Sequence, residues 1–254
     1  MNQPPGYVHG RAPAAGWRRV GLTAITAAIA GGVLVGLTMH STRPAAPAAP
    51  ENPSAEGHRL VHDEPLWTSP HVSFAELSWS DYHGVSLPRS VQDGPRDMGG
   101  ELAAGFSRTA RGALLAALHI AVRANAQWGP RVFEPTIQRQ VTGPDAATLL
   151  ASTRTLYVGQ RERARVAYGT ALGRAYSVLE GFRWLGYSPE VASLDLVSAG
   201  PGDSDATVRA VTRIQLQWRD GDWRVVAPPG GTWGGSAASV DSLDGYLRFP
   251  DGSG

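Results

Sequence analysis

Four groups of side chains in this 254-residue chain have types and spacing that chemistry could use. His58, His62 and Asp63 would ligate a metal from one helical face, since i and i+4 lie one turn apart. They stand beside a proline-rich stretch where a helix is disfavoured, and no Cys or further His follows at ligand spacing. Asp81 and His83 flank Tyr82, so in an extended segment they point the same way and could form an acid–base pair. The plainer reading is a solvated loop. His119 falls at the border of an apolar helical face, where a hydrogen-bonded boundary histidine is expected rather than a base. The run Arg161-Glu162-Arg163-Ala164-Arg165 reads as a solvated helix face. In functional terms it is a docking surface for an acidic partner, carried by Arg161, Arg163 and Arg165.

The chain has no GxSxG, no glycine-rich phosphate loop with its lysine, and no HExxH. It has no cysteine, which removes disulfides, thiolate metal sites, cysteine nucleophiles and a lipidated cysteine together. No catalytic residue, cofactor or metal site is predicted, and the expectation is a protein that is not an enzyme. All 23 basic residues are arginine, a bias that fits a GC-rich genome. From residue 72 onward 18 Arg balance 18 acidic residues, so the domain has no overall charge with which to seek nucleic acid or anionic lipid. Trp79, Trp128, Trp184, Trp218 and Trp223 fall at element ends or on core faces, which fits packing better than stacking on bases.

The elements that would position these groups fall into two halves. Residues 72–79 open the domain as a strand or edge segment, and 81–105, rich in Gly, Pro and Asp, read as a long loop. Thr109 caps a helix whose Leu114, Leu115, Leu118, Ala121 and Val122 share one face. Gln127-Trp128-Gly129-Pro130 ends it. A second helix is predicted over 133–140. A third has Pro144 in its first turn and Asp145 near its positive end, and continues with interruption through 158–171. The period then changes to two: Val208, Ala210, Thr212, Ile214, Leu216 and Trp218 share one side of a strand over 207–219. Asp220-Gly221 is a tight hairpin pair, with the return strand over 222–227. Pro189-Glu190 joins strands over 182–188 and 191–198. The tail carries Leu243, Tyr246, Leu247 and Phe249 as a last docking segment. Helices followed by a meander of antiparallel strands predict an α+β domain with helices on one face of a curved sheet.

Location is written most strongly at the N-terminus. Residues 20–39 hold no charge, and twenty helical residues reach about 30 Å, the thickness of a bilayer's hydrocarbon core. The run is long for a signal peptide, and the first Ala-x-Ala behind it, at 46–48, contains a proline. An uncleaved single-pass anchor is predicted. Arg11, Arg18 and Arg19 precede it and only Arg43 follows closely, which places the N-terminus in the cytoplasm. Ala24, Ala28, Gly32 and Gly36 line one face of that helix and would let two copies approach. The predicted organisation is a cytoplasmic tail (1–19), a transmembrane helix (20–39), a Pro/Ala-rich linker (40–71), an extracytoplasmic domain (72–229) and a Gly/Ser-rich tail (230–254).

This layout resembles the bitopic membrane proteins of conjugative type IV secretion machines, whose extracytoplasmic domain is NTF2-like. More narrowly, it is similar to membrane proteins of conjugative elements in high-GC Gram-positive bacteria. The residues that carry the likeness are Ser78-Trp79, His83-Gly84-Val85, Gly94-Pro95-Arg96, Gly105-Phe106 leading into Arg111-Gly112-Ala113-Leu114-Leu115-Ala116-Ala117, Gln127-Trp128-Gly129-Pro130 and Gly186-Tyr187-Ser188-Pro189. The likeness spans about residues 73–228 and carries over no catalytic residue. It implies a scaffold in the cell membrane that contacts itself and other membrane components of a transfer machine, with no direct nucleic-acid binding. Two other functions fit the same plan: an accessory anchored protein of lipid or solute uptake, and an NTF2-like small-molecule binder or enzyme with acidic and tyrosyl groups facing a cavity.

Overall fold

The computed structural model describes residues 69–202 and 207–250. The segment 20–39, its small-residue face at Ala24, Ala28, Gly32 and Gly36, the linker up to residue 68, and the His58, His62, Asp63 group all lie outside them. Among the described residues no helix is long and apolar enough to cross a membrane.

The architecture is mixed α+β. A hairpin, β1 (Ser78–Tyr82) and β2 (Val85–Arg89), comes first. Three helices follow: α1 (Ala110–Arg123), α2 (Pro130–Gln140) and α3 (Ala146–Ala164). Between α2 and α3 lies the two-residue strand β3 (Val141–Thr142). Then come β4 (Val178–Tyr187), β5 (Val191–Pro201), β6 (Thr207–Arg219) and β7 (Asp222–Val226), with β8 (Ala237–Ser239) and β9 (Leu247–Arg248) at the end. The large sheet runs β3-β7-β6-β5-β4-β9, with β8 beside the first half of β6. Its pairs are antiparallel except β3 with β7.

Helix α1 is the centre of the molecule. Thr109 caps it by accepting from the Gly112 amide, as the sequence indicates. The apolar stripe is only part of the truth, because every residue from Gly112 to Arg123 is buried. One side packs on β6 and β7, and others meet β2 and α2. Ala113, Ala116, Ala117 and Ala121 supply the small surface that lets neighbours close in on all sides. Alanine adds little to a hydrophobic stripe, which is why periodicity alone suggests a surface helix.

The stretch 81–105 differs from the expected long loop. It contains β2, whose Val85 and Leu87 are fully buried, and two further antiparallel bridges, Ser90 with Gly94 and Asp97 with Ala104. Helix α2 starts three residues earlier than expected, because Pro130 occupies its first turn. Helix α3 starts at Ala146, so Pro144 precedes the helix instead of sitting in its first turn, and Asp145 makes no side-chain cap bond. It runs without interruption to Ala164 and stops at Arg165, which adopts a left-handed φ of 56°.

The β6–β7 hairpin matches its expectation closely, whereas the first strand is Ser78–Tyr82 and not 72–79, and β4 begins at Val178 and not at 182. Thr212, Ile214 and Leu216 are buried in alternation with exposed Arg213, Gln215 and Gln217. Asp220 and Gly221 both have positive φ, 52° and 78°, as a two-residue hairpin turn requires. The C-terminal residues dock on the sheet. From β8, held on β6, the chain reaches β9 on β4 and so passes β5. Leu243 and Val197 are buried outside the main core, and Arg183 lies 4.7 Å from the Tyr246 ring. Alternation places Val197 on the face opposite Leu194 and Leu196. The C-terminal segment is therefore a strap over the sheet face that the helices leave open.

Gly112 gives this packing a test. A Cβ there would stand 2.1 Å from the Ser107 carbonyl oxygen. Gly→Ala in a helix interior ordinarily gains about 1 kcal/mol, whereas Gly112→Ala, in the first turn of α1, is expected to lose about 2 kcal/mol through overpacking. Denaturant titration of the two proteins measures the sign directly.

Candidate functional site

The polar end of α1 holds the most unusual chemistry. His119 is 2 % exposed, well inside the boundary position expected. Its Nε2 lies 2.8 Å from the Pro88 carbonyl and its Nδ1 lies 2.8 Å from Arg123 Nη1. A guanidinium only donates, so Nδ1 accepts and the proton sits on Nε2, donating to Pro88. Burial first, and then the Arg123 charge, push the imidazole pKa down to about 3. With both nitrogens engaged and the ring neutral, His119 ties α1 to β2 and is no base.

Arg123 is equally buried and has no carboxylate in ion-pairing range among the described residues. It also donates to the His119 carbonyl, and its guanidinium carbon stands 4.2 Å from the Tyr82 ring centroid. The ring face supplies the negative potential that a counter-ion would. Burial lowers the Arg123 pKa and raises that of Tyr82, and the Glu101 charge reaches both groups. The Arg123 Nε and the Tyr82 hydroxyl have no hydrogen-bond partner.

The buried carboxylates hold the fold together. Asp93 accepts from Ser107, from Thr109 at 2.7 Å and from Arg111, which joins the 90s segment to the start of α1. Burial alone would raise its pKa, but these bonds hold it below the usual carboxylate value. Asp222 accepts from the amides of Gly105 at 2.8 Å and Phe106 at 3.0 Å, which pins the same segment to β7. Asp195, 3 % exposed, receives Arg183 and Arg213 from the flanking strands.

Asp81 and His83 are not an acid–base pair. Asp81 accepts from the Gly84 amide and from Arg174, while His83 turns at φ 51° and sets its ring 5.6 Å from Trp128. Among the described residues no three His, Asp or Glu side chains gather as a metal site. An open groove of about 460 Å³ runs between Asn125, Leu149, Leu156 and Trp233, with no ionisable side chain in its lining.

Arg161, Arg163 and Arg165 lie together at the end of α3, Arg163 and Arg165 exposed and Arg161 half-buried. None has an ion-pair partner among the described residues, in contrast with Arg108, Arg111, Arg154, Arg174, Arg183, Arg209 and Arg213. The structure adds Tyr168, whose ring centroid is 5.9 Å from the Arg161 guanidinium carbon. Sequence reasoning misses Tyr168, since nothing local shows that the chain folds back against α3.

The neutral, buried His119 sets a pH dependence. Its folded pKa lies below the unfolded value, so the unfolded chain takes up the proton first. Stability falls as pH drops from about 6.5 toward 3, by at most about 1.4 kcal/mol per unit from this group. His119→Gln is expected to flatten the fall between pH 6 and 4 in urea titrations. Loss of the Asp93 contribution, with its depressed pKa, comes only at lower pH.

No curated protein and no solved structure matches this chain. The family described as a domain of unknown function, DUF8175, matches residues 39–248, which span most of the chain and every strand and helix described above. The protein belongs to the DUF8175 family.

Proposed function

We propose that this protein is a membrane-anchored, non-enzymatic assembly subunit of a conjugative DNA-transfer apparatus of the type IV secretion kind, with an NTF2-like domain outside the membrane. The apolar segment 20–39 sets its position, and the Pro/Ala-rich linker holds the domain away from the bilayer. Three helices ahead of a largely antiparallel sheet are consistent with the NTF2-like plan.

The observation that carries the reading is the distribution of charge. Buried His119, Asp93, Asp195 and Asp222 are engaged in bonds that fasten one element to another. The arginines at the end of α3, close together in sequence, make no ion pair among the described residues, in a domain whose charges balance overall. Chemistry directed inward at packing and outward at contact suits a scaffold.

Disruption of the gene in a donor cell tests this. Transfer of the mobile element is expected to fall to background and to return when the gene is supplied in trans. Unchanged transfer together with altered solute or lipid uptake would favour the uptake reading instead. Self-association through Ala24, Ala28, Gly32 and Gly36 is tested by cross-linking in membranes. Gly32→Leu with Gly36→Leu is expected to reduce the dimer yield several-fold, and an unchanged yield removes that part of the proposal.

A further inference from the structure

Tyr168 is 63 % exposed, and it stands where cations arrive from two helices. Arg161 reaches over its ring from α3. Arg154, two turns earlier on the same helix, is close enough for its charge to be felt at the phenol. Arg131, from the first turn of α2, borders the next residue, with its Nε 4.0 Å from where a Cβ on Gly169 would lie. Arg165 follows at the helix end, whereas Arg163, two residues on from Arg161, lies round the helix with its guanidinium beside Gly159. The acids of the patch are Glu134, already bound to Arg154, and Glu162. Val158, one turn before Arg161, adds an exposed apolar side chain.

Favourable interaction with the α3 dipole accounts for arginines near a helix C-terminus. It does not account for three other features. The Arg161 Nε is buried with no acceptor. Arg165 occupies a left-handed position, φ 56° and ψ 38°, where glycine removes a steric cost of about 1–2 kcal/mol. The loop that carries Tyr168 is held in place from beneath: buried Tyr157 donates to the Thr170 carbonyl at 2.8 Å and accepts from the Gly169 amide at 2.9 Å. An exposed tyrosine on an anchored loop, beside arginines of which Arg154 alone has an ion-pair partner among the described residues, has the composition of an interface hot spot.

We infer that Tyr168, with Arg131, Arg154, Arg161 and Arg165, forms a docking surface for an acidic segment of a partner protein. The inference deepens the scaffold reading by giving the partner's chemistry. Carboxylates of the partner would pair with the guanidinium forks of Arg131, Arg161 and Arg165, and its apolar side chains would lie on Tyr168 and Val158. Glu134 and Glu162 interrupt the positive field, which favours a shaped peptide over a uniformly anionic bilayer.

The test uses the full-length protein in detergent and a fluorescein-labelled peptide of alternating Glu and Leu, read by anisotropy over a salt series. Binding that weakens with salt, and falls about tenfold or more in Arg161→Glu and in Arg131→Glu, is expected. Tyr168→Ala should weaken it several-fold. Arg165→Gly separates contact from folding: its Tm should rise while peptide binding falls. Equal loss on reversing Arg219 or Arg248, which lie elsewhere, would overturn the proposal as general charge attraction. So would binding to phosphatidylglycerol vesicles without binding to the peptide. Because the readout is the purified protein with a synthetic peptide, its failure is distinguishable from failure of the DNA-transfer reading.

Discussion

The structure depends on enclosing one helix on all sides. A helix buried from Gly112 to Arg123 has no solvent to satisfy its polar side chains, so its neighbours must do so. His119 finds the Pro88 carbonyl of β2, and Arg123 finds His119 and the face of Tyr82. The start of α1 is closed by Thr109 and by the Asp93 group. Enclosure also demands small residues at close approaches. Gly112 under Ser107 and the alanines along α1 meet that demand.

Burying a guanidinium with no carboxylate beside it is costly, and the arrangement around Arg123 shows how the cost is limited. Two acceptors from a single residue one turn back and an aromatic face at 4.2 Å replace a counter-ion. Keeping His119 neutral is part of the same solution, because a second positive charge at that distance would repel Arg123. The ion pairs that do form lie elsewhere, across the strands of the sheet and between segments distant in sequence. Asp195 gathers Arg183 and Arg213 from its two neighbouring strands, and Arg209 reaches Glu180 on the same sheet. The Asp195 carboxylate is buried while both of its arginines stay partly in solvent. Arg161, Arg163 and Arg165 of α3 take part in none of these pairs.

How much of this was legible in the sequence follows from what kind of signal each element leaves. β6 and its hairpin left a two-residue period and an Asp-Gly pair, and both were readable because they are local. The Thr109 cap was readable for the same reason. β2 was not, since Gly84, Pro88 and Gly94 mask a short buried strand as a loop. The burial of His119 was hidden by the alanines around it, which make an interior helix look amphipathic. Asp93 and Asp222 act across long sequence separations, and no spacing rule announces such bonds. Of the candidate site, the three α3 arginines were visible as a charge run. Tyr168 joins them only through the path of the chain after Arg165, and Arg131 only through the packing of α2 against α3.

Enclosure of α1 makes a single demand on dynamics. The 85–106 segment must be as stable as the helix it covers, because opening it would expose His119, Arg123 and the start of the core together. Native-state hydrogen exchange of individual amides measures this most directly. The amides of Gly105 and Phe106, bonded to Asp222, should exchange with the same opening free energy as those of Leu115 to Ile120 in α1. Exchange of Gly105 and Phe106 orders of magnitude faster than α1 would show that the segment opens on its own, and would contradict the account of it as a structural layer.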